Sequence, residues 1–221
     1  MSAAELLVRR IRDVASDLFV CHGYNGVSYL DIARHLDITH SNVHYYYKTK
    51  HVLAEACLAE YTRATLTFYD ATWTNPGSQL LQKFVETRDW AYSRYLRYNP
   101  AGKGAAHWGL LDRFASDSDA LSPELKRMIR ETARRLDACI DRGVQIAIET
   151  ELLQDTPRSD LVLHISTVLY SSRQVTRYRG NFERLDDLMR STSELIHLAY
   201  GRHPSSRRSW PAVRPPDKGA T

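Results

Sequence analysis

Hydrophobic residues recur every three or four positions in almost every segment of the chain, which is the spacing of an amphipathic α-helix. Alternating β-branched runs bounded by turns, which are typical of strands, are missing from the sequence. The pattern therefore predicts an all-α protein. The clearest apolar stripe lies near the carboxyl end and comprises Leu185, Leu188, Met189, Leu195, Ile196 and Ala199.

Polar residues divide the first fifty positions into three helices. The first is predicted to end at Gly23, a residue suited to a left-handed C-cap. Ser28 and Thr39 are natural N-caps for "YLDIARHL" and "HSNVHYY", and Asp37 supplies the turn between these two helices. Two short helices joined by a tight turn match a helix-turn-helix unit. Its small core is predicted to contain Ile32, Ala33, Leu36, Ile38 and Val43.

Turn and cap signals also place the later helices. A long helix is predicted over residues 50–72, because the segment "NPG" follows it and breaks the pattern. Ser122-Pro123 and Thr156-Pro157 each provide an N-cap residue followed by proline at the first helical position. The last two helices are predicted over residues 158–179 and 184–200.

The net charge of +4 does not by itself indicate a nucleic-acid partner. All of the excess lies beyond residue 200, where five basic side chains accompany one acidic side chain, and the rest of the chain is neutral. Residues 202–221 are rich in proline, serine and arginine and are predicted to be disordered. Any DNA-binding function must therefore be argued from particular residues rather than from the total charge.

The cysteines indicate a reducing compartment. Cys21, Cys57 and Cys139 are odd in number and far apart, which argues against disulfides and against a structural zinc site. No apolar run approaches the ~18 residues that span a membrane. Acidic residues within the first helical stripe argue against a secretory signal. We expect a cytoplasmic protein without a membrane partner and without a cofactor.

The second helix of the helix-turn-helix unit presents short polar and flat side chains. Such groups suit base edges and the sugar-phosphate of a major groove. Three consecutive tyrosines follow, and because they span most of a helix circumference, one should be buried and the others exposed. Hydroxyl and ammonium groups just beyond could bind phosphates. The residues expected to face outward are His40, Ser41, Asn42, His44 and Tyr45. The hydroxyl and ammonium groups that could bind phosphates are those of Tyr46, Tyr47, Lys48 and Lys50.

These residues resemble the DNA-binding domain of the tetracycline-repressor (TetR) family of bacterial one-component regulators. The family pattern is roughly T-x-x-x-I-A-x-x-x-G-V-S-x-G-x-L-Y-x-Y-F-x-x-K-x-x-L, and the resemblance covers residues 5–53. The chain departs from it at Asp37 (usually glycine), Ser41 (often glycine or alanine) and His44 (usually tyrosine). The positions that match are Ser28, Ile32, Ala33, Ile38, Thr39, Val43, Tyr46, Tyr47, Lys50 and Leu53.

The resemblance implies where DNA would bind. The first helix, with Arg9, Arg10 and Arg12, should lie against the DNA backbone. Asn42 is the favoured specific contact, because an amide can bond adenine bidentately, which is worth ~1–3 kcal/mol of discrimination. The full set of expected DNA contacts is Ser28, Thr39, His40, Ser41, Asn42, His44, Tyr45, Tyr46, Tyr47 and Lys50.

A metal site is the alternative for the histidines of this stretch. His40 and His44 are four positions apart on a helix, a spacing that can hold zinc. A third ligand is missing from suitable positions, and Ser41 stands where the zincin motif has its glutamate. We therefore predict no metal site here.

Two aromatic segments, "DWAYSRYLRYNP" and "HWGLLDRF", are candidates for a small-molecule pocket. Pockets combine apolar and aromatic walls with a few orienting polar groups. The alternative is ordinary core, since helical cores always contain aromatic stripes. The candidate ligand-binding residues are Trp90, Tyr95, His107, Trp108 and Arg113.

The last two helices carry wide apolar faces, which predicts a homodimer through residues 158–179 and 184–200. The alternative is that they only close the monomer core. We predict three regions: a helix-turn-helix domain at 1–50, an effector-binding and dimerisation domain at 51–201, and a basic tail at 202–221.

The resulting hypothesis is a TetR-like transcriptional regulator and not an enzyme, a repressor that an unknown small-molecule effector releases from double-stranded operator DNA. Two alternatives stay open. One is an all-α enzyme with a site near His107, Asp112 and Arg113. The other is a regulator without a small-molecule ligand.

Overall fold

The computed structural model describes residues 2–150, 153, 157–201 and 210–213. Within these ranges the chain is helical and contains no strand, which confirms the all-α prediction. Two short 3₁₀ turns, Pro100–Gly102 and Ser118–Ala120, interrupt the α-helices. The α-helices are α1 (Ala3–His22), α2 (Tyr29–Leu36), α3 (His40–Tyr46), α4 (Lys50–Trp73), α5 (Leu80–Tyr98), α6 (Leu110–Ser116), α7 (Pro123–Thr150), α8 (Arg158–Arg179) and α9 (Glu183–Tyr200).

Most helix ends fall where the cap residues predict them. Ser122 caps α7, since its Oγ accepts a hydrogen bond from the Leu125 amide at 3.1 Å. Gly23 follows α1 with φ 76° and ψ 175°, so its φ is positive but its ψ is extended. The prediction of a left-handed helical C-cap at Gly23 is therefore wrong in detail. Thr156 lies outside the described residues, and α8 begins at Arg158.

The chain forms two compact units. The first unit comprises residues 1–65 and 107–133, and the second comprises residues 66–106 and 134–221. The chain passes between the units three times, at residues 65/66 inside α4, at 106/107 before α6, and at 133/134 inside α7. Packing thus groups α6 with the amino-terminal helices, while the functional division at residue 50 stays a prediction.

Aromatic rings from distant parts of the sequence fill the core of the first unit. Phe19 packs edge-on against Phe114 with 5.4 Å between ring centroids, and Phe19 and Tyr24 stack at 6.0 Å. Ile32 and Leu53 of the same unit are also fully buried. Residues 107–133 therefore complete the hydrophobic core of the amino-terminal helices.

The core of the second unit includes a buried lysine that caps a helix. Lys83 is fully buried, and its Nζ donates to the carbonyl oxygens of Thr72 at 3.2 Å and Asn75 at 2.7 Å. A cation at the carboxyl end of α4 is favourable, because unpaired carbonyls give that end a partial negative charge. Trp73, also fully buried, packs closely on Gly143, where a Cβ would lie 2.7 Å from the indole.

Helices α8 and α9 keep large apolar side chains in solvent. Leu163 and Tyr178 of α8 are exposed, and so are Leu195 and Leu198 of α9. Of the helices described, none is both long and apolar enough to cross a membrane.

The predicted tail is described only in part. Residues 202–209 and 214–221 lie outside the described residues. Trp210, Pro211 and Ala212 are described and contact Arg88 of α5.

Candidate nucleic-acid interface

A capping box begins α2. The Ser28 Oγ accepts the Asp31 amide at 3.3 Å, and the Asp31 carboxylate accepts the Ser28 amide at 2.9 Å and its hydroxyl at 2.6 Å. These hydrogen bonds with Ser28 lower the pKa of the Asp31 carboxyl. The Ser28 hydroxyl thus serves the helix end, which the sequence predicted, and the residue stays exposed at the surface.

Asp37 makes the turn between α2 and α3. It adopts the left-handed conformation with φ 53° and ψ 47°, and its amide donates to the carbonyl oxygens of Ala33 and Arg34. Aspartate reaches this region more readily than most residues, which is why it can replace the usual glycine. Thr39 then caps α3 by accepting the Asn42 amide at 3.3 Å. The two cap predictions and the turn prediction are confirmed.

One buried side chain, Val43, fixes α3 to the core. The outward residues of this seven-residue helix form an exposed polar surface that we call the α3 face. Asn42 engages Thr39 through its backbone amide, so this capping bond does not use the side-chain amide. The members of the α3 face, all exposed, are His40, Ser41, Asn42, His44 and Tyr45.

Two imidazoles and a phenol lie together at one side of the α3 face. The rings of His40 and His44 are 6.4 Å apart, and Tyr29 lies 5.9 Å from the first and 6.1 Å from the second. Among the described residues, no group of three or more histidine, cysteine or carboxylate side chains is arranged to hold a metal ion. Imidazoles can donate to or accept from base edges and phosphates, so this arrangement suits nucleic-acid contact.

The three consecutive tyrosines differ in exposure. Tyr45 is 69% exposed and Tyr46 half-buried, with their rings edge-on at 5.1 Å. Tyr47 is only 7% exposed, and its carbonyl accepts the Tyr29 hydroxyl at 2.8 Å. The expectation that one of the three is buried is met by Tyr47. Its ring belongs to the core and not to the exposed α3 face.

Lys50 is engaged within the protein. Its Nζ donates to the carbonyl oxygens of Tyr24 at 3.1 Å and Val27 at 3.3 Å, and it lies 4.5 Å from the centre of the Tyr24 ring. Partial burial lowers the pKa of the ammonium group. Lys50 thus ties the start of α4 to the loop that precedes α2. Lys48, in contrast, is exposed beside the Tyr45 ring.

The arginines of α1 are unequally available. Arg9 and Arg10 are exposed, although Arg9 forms a 3.6 Å ion pair with Asp13. Arg12 is half-buried between Asp13 at 3.8 Å and Glu60 at 3.9 Å. Its charge is therefore largely balanced by the protein itself, and Arg10 is the better candidate for a phosphate contact.

The candidate ligand residues fall into different units. Trp90 and Tyr95 belong to the second unit. Trp90 stacks on Phe68 at 4.6 Å with an angle of 6°, and the Arg94 guanidinium lies 4.5 Å from its ring centre. Tyr95 is fully buried and donates its hydroxyl to the Gly104 carbonyl at 2.7 Å, as expected of a core tyrosine.

The other three candidates, His107, Trp108 and Arg113, belong to the first unit. Trp108 is buried. His107 Nε2 lies 2.8 Å from Arg113 Nη1, and its Nδ1 lies 3.9 Å from Asp112. The structure thus brings together the residues of the enzyme alternative, but the Arg113 guanidinium is occupied by His107 and by Asp117, at 3.7 Å.

Asp117 is a residue that the sequence did not single out. Its Oδ2 accepts the Tyr24 amide at 2.7 Å, directly after α1. Gly23 permits this approach, because a Cβ there would lie 2.4 Å from both Asp117 Oδ2 and Arg113 Nη2. The partners are 93 residues apart in sequence, so no local pattern could have indicated the contact.

The chain is all-α and carries a capped helix-turn-helix near its amino end, and the second helix of this unit has an exposed polar face. These features are those of a DNA-binding regulator. Residues 11–57 match the family described as bacterial regulatory proteins, tetR family. The amino-terminal segment is therefore similar to that family, and the chain shares its fold with solved TetR-family transcriptional regulators. The resemblance inferred from the sequence is confirmed.

Solved structures share the fold over most of the chain. A TetR-family transcriptional regulator from Agrobacterium tumefaciens has a TM-score of 0.73 at 18% identity, covering 87% of this chain and 98% of that one. A putative transcriptional regulator from Saccharomonospora viridis in complex with choline has a TM-score of 0.71 at 17% identity, with 90% and 100% covered. A TetR transcriptional regulator from Legionella pneumophila has a TM-score of 0.64 at 22% identity, with 85% and 95% covered. No curated protein sequence matches the chain.

Proposed function

We propose that the protein is a dimeric repressor that binds operator DNA through the α3 face and is released by a small-molecule effector. The observation that carries the proposal is the exposure of every α3 residue except Val43 and the half-buried Tyr46. A helix of seven residues is not stable in isolation, and here only Val43 is packed in the core. Its polar outer surface is therefore best explained by a partner with hydrogen-bonding edges.

Within the α3 face, we assign base contacts to His40, Ser41, Asn42 and His44. The Asn42 side chain is the preferred specificity element, since it is exposed and its capping bond uses only the backbone. Phosphate contacts are assigned to Tyr45, Tyr46 and Lys48, and Lys48 takes the role that the family resemblance implies for Lys50. A phosphate contact adds affinity without sequence preference, and it makes binding salt-dependent.

Dimerisation is proposed through α8 and α9. Their exposed leucines and Tyr178 are the largest apolar side chains that these helices leave in solvent. A two-fold dimer would present two copies of α3 to successive major grooves about 34 Å apart. That spacing is what makes the proposed regulation possible, because a dimer with another spacing loses one of its two contacts.

The effector is proposed to bind in the second unit beside the Phe68–Trp90 stack. The Phe68 and Trp90 rings stack there and the Arg94 guanidinium lies over Trp90, so aromatic side chains and a charge stand together, a combination found in ligand sites. The Saccharomonospora viridis protein of this fold is in complex with choline. An effector that binds more tightly to a dimer whose α3 helices have another spacing would lower the fraction of dimers able to bind DNA. By thermodynamic linkage, bound DNA would weaken effector binding by the same factor.

The test begins with genome-wide capture of bound DNA, followed by affinity measurements on the best site. We expect Asn42→Ala to lose ~1–3 kcal/mol of discrimination at one base pair while binding unrelated DNA as the parent does. Lys48→Ala should weaken binding to all sequences alike, and Lys103→Ala, an exposed lysine of the second unit, is the matched control. A parent protein that is monomeric and indifferent to every duplex at low salt would contradict the proposal.

A further inference from the structure

Arg88 of α5 is a fully buried cation that the proposed DNA-binding function does not use. Burying a charge is costly unless it is paired and hydrogen-bonded. All five of its N–H donors have partners. Nε and Nη2 donate to Asp89 Oδ1 at 2.9 and 2.7 Å, and Nη1 donates to Asp186 Oδ1 at 3.1 Å.

The remaining two donors bind the carboxyl-terminal segment of the chain. Nη1 donates to the Pro211 carbonyl at 2.7 Å and Nη2 donates to the Ala212 carbonyl at 3.2 Å. The Trp210 ring lies 5.0 Å from the guanidinium carbon, and its Nε1 donates to Asp186 Oδ1 at 2.8 Å. The segment is thus held by two backbone carbonyls, one aromatic face and one side-chain hydrogen bond.

We propose that Arg88 of α5 and Asp186 of α9 form a peptide-binding site for the chain's own segment 210–212. In this site the segment acts as a strap that fixes the first turn of α9 to α5. All of these residues belong to the second unit. The inference is independent of DNA binding, and it gives a role to part of a tail that its composition alone assigns to disorder.

The charges at the site explain why it takes a peptide and not a small anion. Two carboxylates, Asp89 and Asp186, already contact the single guanidinium of Arg88. A third carboxylate would face a local excess of negative charge. Neutral carbonyl oxygens complete the hydrogen bonds of the guanidinium without adding charge, and the Trp210 ring adds a cation–π contact.

The sequence of the segment suits this role. Pro211 restricts Trp210 to extended backbone conformations, so less conformational entropy is lost when the segment binds. Basic residues flank the segment, and the start of α9 has a net negative charge, with three acidic residues and one basic residue, Arg184, so the two attract each other at long range. The basic residues are Arg207, Arg208 and Arg214, and the acidic residues are Glu183, Asp186 and Asp187.

The test uses the full chain labelled with 5-fluorotryptophan. The chain has four tryptophans, so four ¹⁹F resonances are expected, and Trp210→Phe identifies that of Trp210. In the unsubstituted chain this resonance should be broad and shifted away from that of free fluorotryptophan. Asp186→Ala should move it to the free position. Asp187→Ala is the matched control, because this neighbour instead pairs with Arg190 at 2.8 Å.

A second measurement covers the case in which Asp186→Ala fails to fold. Trp210→Ala should increase amide hydrogen exchange in the first turns of α9 about tenfold without changing exchange in α1. Excess acetate should leave the Trp210 resonance in place. The proposal is overturned if the resonance of the unsubstituted chain is narrow and already at the free position, or if acetate displaces it, which would make the site an anion site.

Discussion

Replacing Lys50 by methionine separates two roles for this residue. The resemblance to the TetR family gives it a phosphate contact, while the structure shows its ammonium bound to the Tyr24 and Val27 carbonyls and lying over the Tyr24 ring. Methionine keeps most of the apolar stem and removes the charge and the donors. The variant therefore tests the ammonium group and not the packing of the side chain.

The magnitude follows from the contacts that are lost. A hydrogen bond from a charged donor contributes about 1.5–3 kcal/mol, and a cation–π contact about 0.5–1 kcal/mol at an exposed site. Lys50 is only partly buried, so solvent screening reduces these values. We expect Lys50→Met to lower the free energy of unfolding by about 2 kcal/mol. Lys48→Met, at an exposed position, should change it by less than ~0.5 kcal/mol.

Urea denaturation followed by circular dichroism measures the free energy of unfolding. The dependence of DNA affinity on salt measures the number of phosphate contacts. For Lys48→Met we expect the slope of log affinity against log salt to fall by about 1, as for one lost phosphate contact. For folded Lys50→Met the slope should not change. The opposite result, unchanged stability together with a reduced slope for Lys50→Met, would refute the structural role and restore the phosphate contact.

Three further substitutions test the fold and the proposed dimer. Tyr29→Phe should cost about 1 kcal/mol at neutral pH through the lost bond to the Tyr47 carbonyl. Burial raises the pKa of Tyr29 to about 12, so the stability contributed by the protonated hydroxyl is complete below pH 10 and is lost as the pH rises to about 12. The difference in unfolding free energy between parent and variant, measured in urea, should therefore shrink over that range. Asp37→Gly should stabilise the turn by about 0.5–1 kcal/mol, since glycine adopts the φ of 53° without strain, and an unchanged urea midpoint would contradict this. Leu195→Glu, at a position 61% exposed, should leave the helical signal intact and convert the protein to a monomer in light scattering, whereas a persistent dimer would move the interface elsewhere.

Features set by neighbouring residues could be predicted from the sequence. Ser28, Asp37 and Thr39 act on backbone groups within a few positions, so residue type alone indicates their role. The helix bounds follow from the same local rules, and α8 begins and ends where the pattern places it.

Features set by tertiary packing could not be predicted in this way. Lys50 lies at a position where the family pattern has a lysine, but its bonds go to Tyr24 and Val27, which a linear motif does not reveal. Asp117 reaches the Tyr24 amide across 93 residues. Similarly, Trp90 and Tyr95 belong to one aromatic segment that is a candidate pocket lining, yet the first stacks on Phe68 while the second is fully buried and bonded to Gly104.

The single anchor of α3 has a consequence for how such a protein diversifies. Val43 is the only residue of this helix that the core encloses, and Thr39 holds its start from outside the helix. The neighbouring positions can therefore exchange side chains at little cost to folding, because surface substitutions usually change stability by less than ~0.5 kcal/mol. Mutations in a few adjacent codons can then change the DNA sequence that is recognised, while the rest of the fold stays the same.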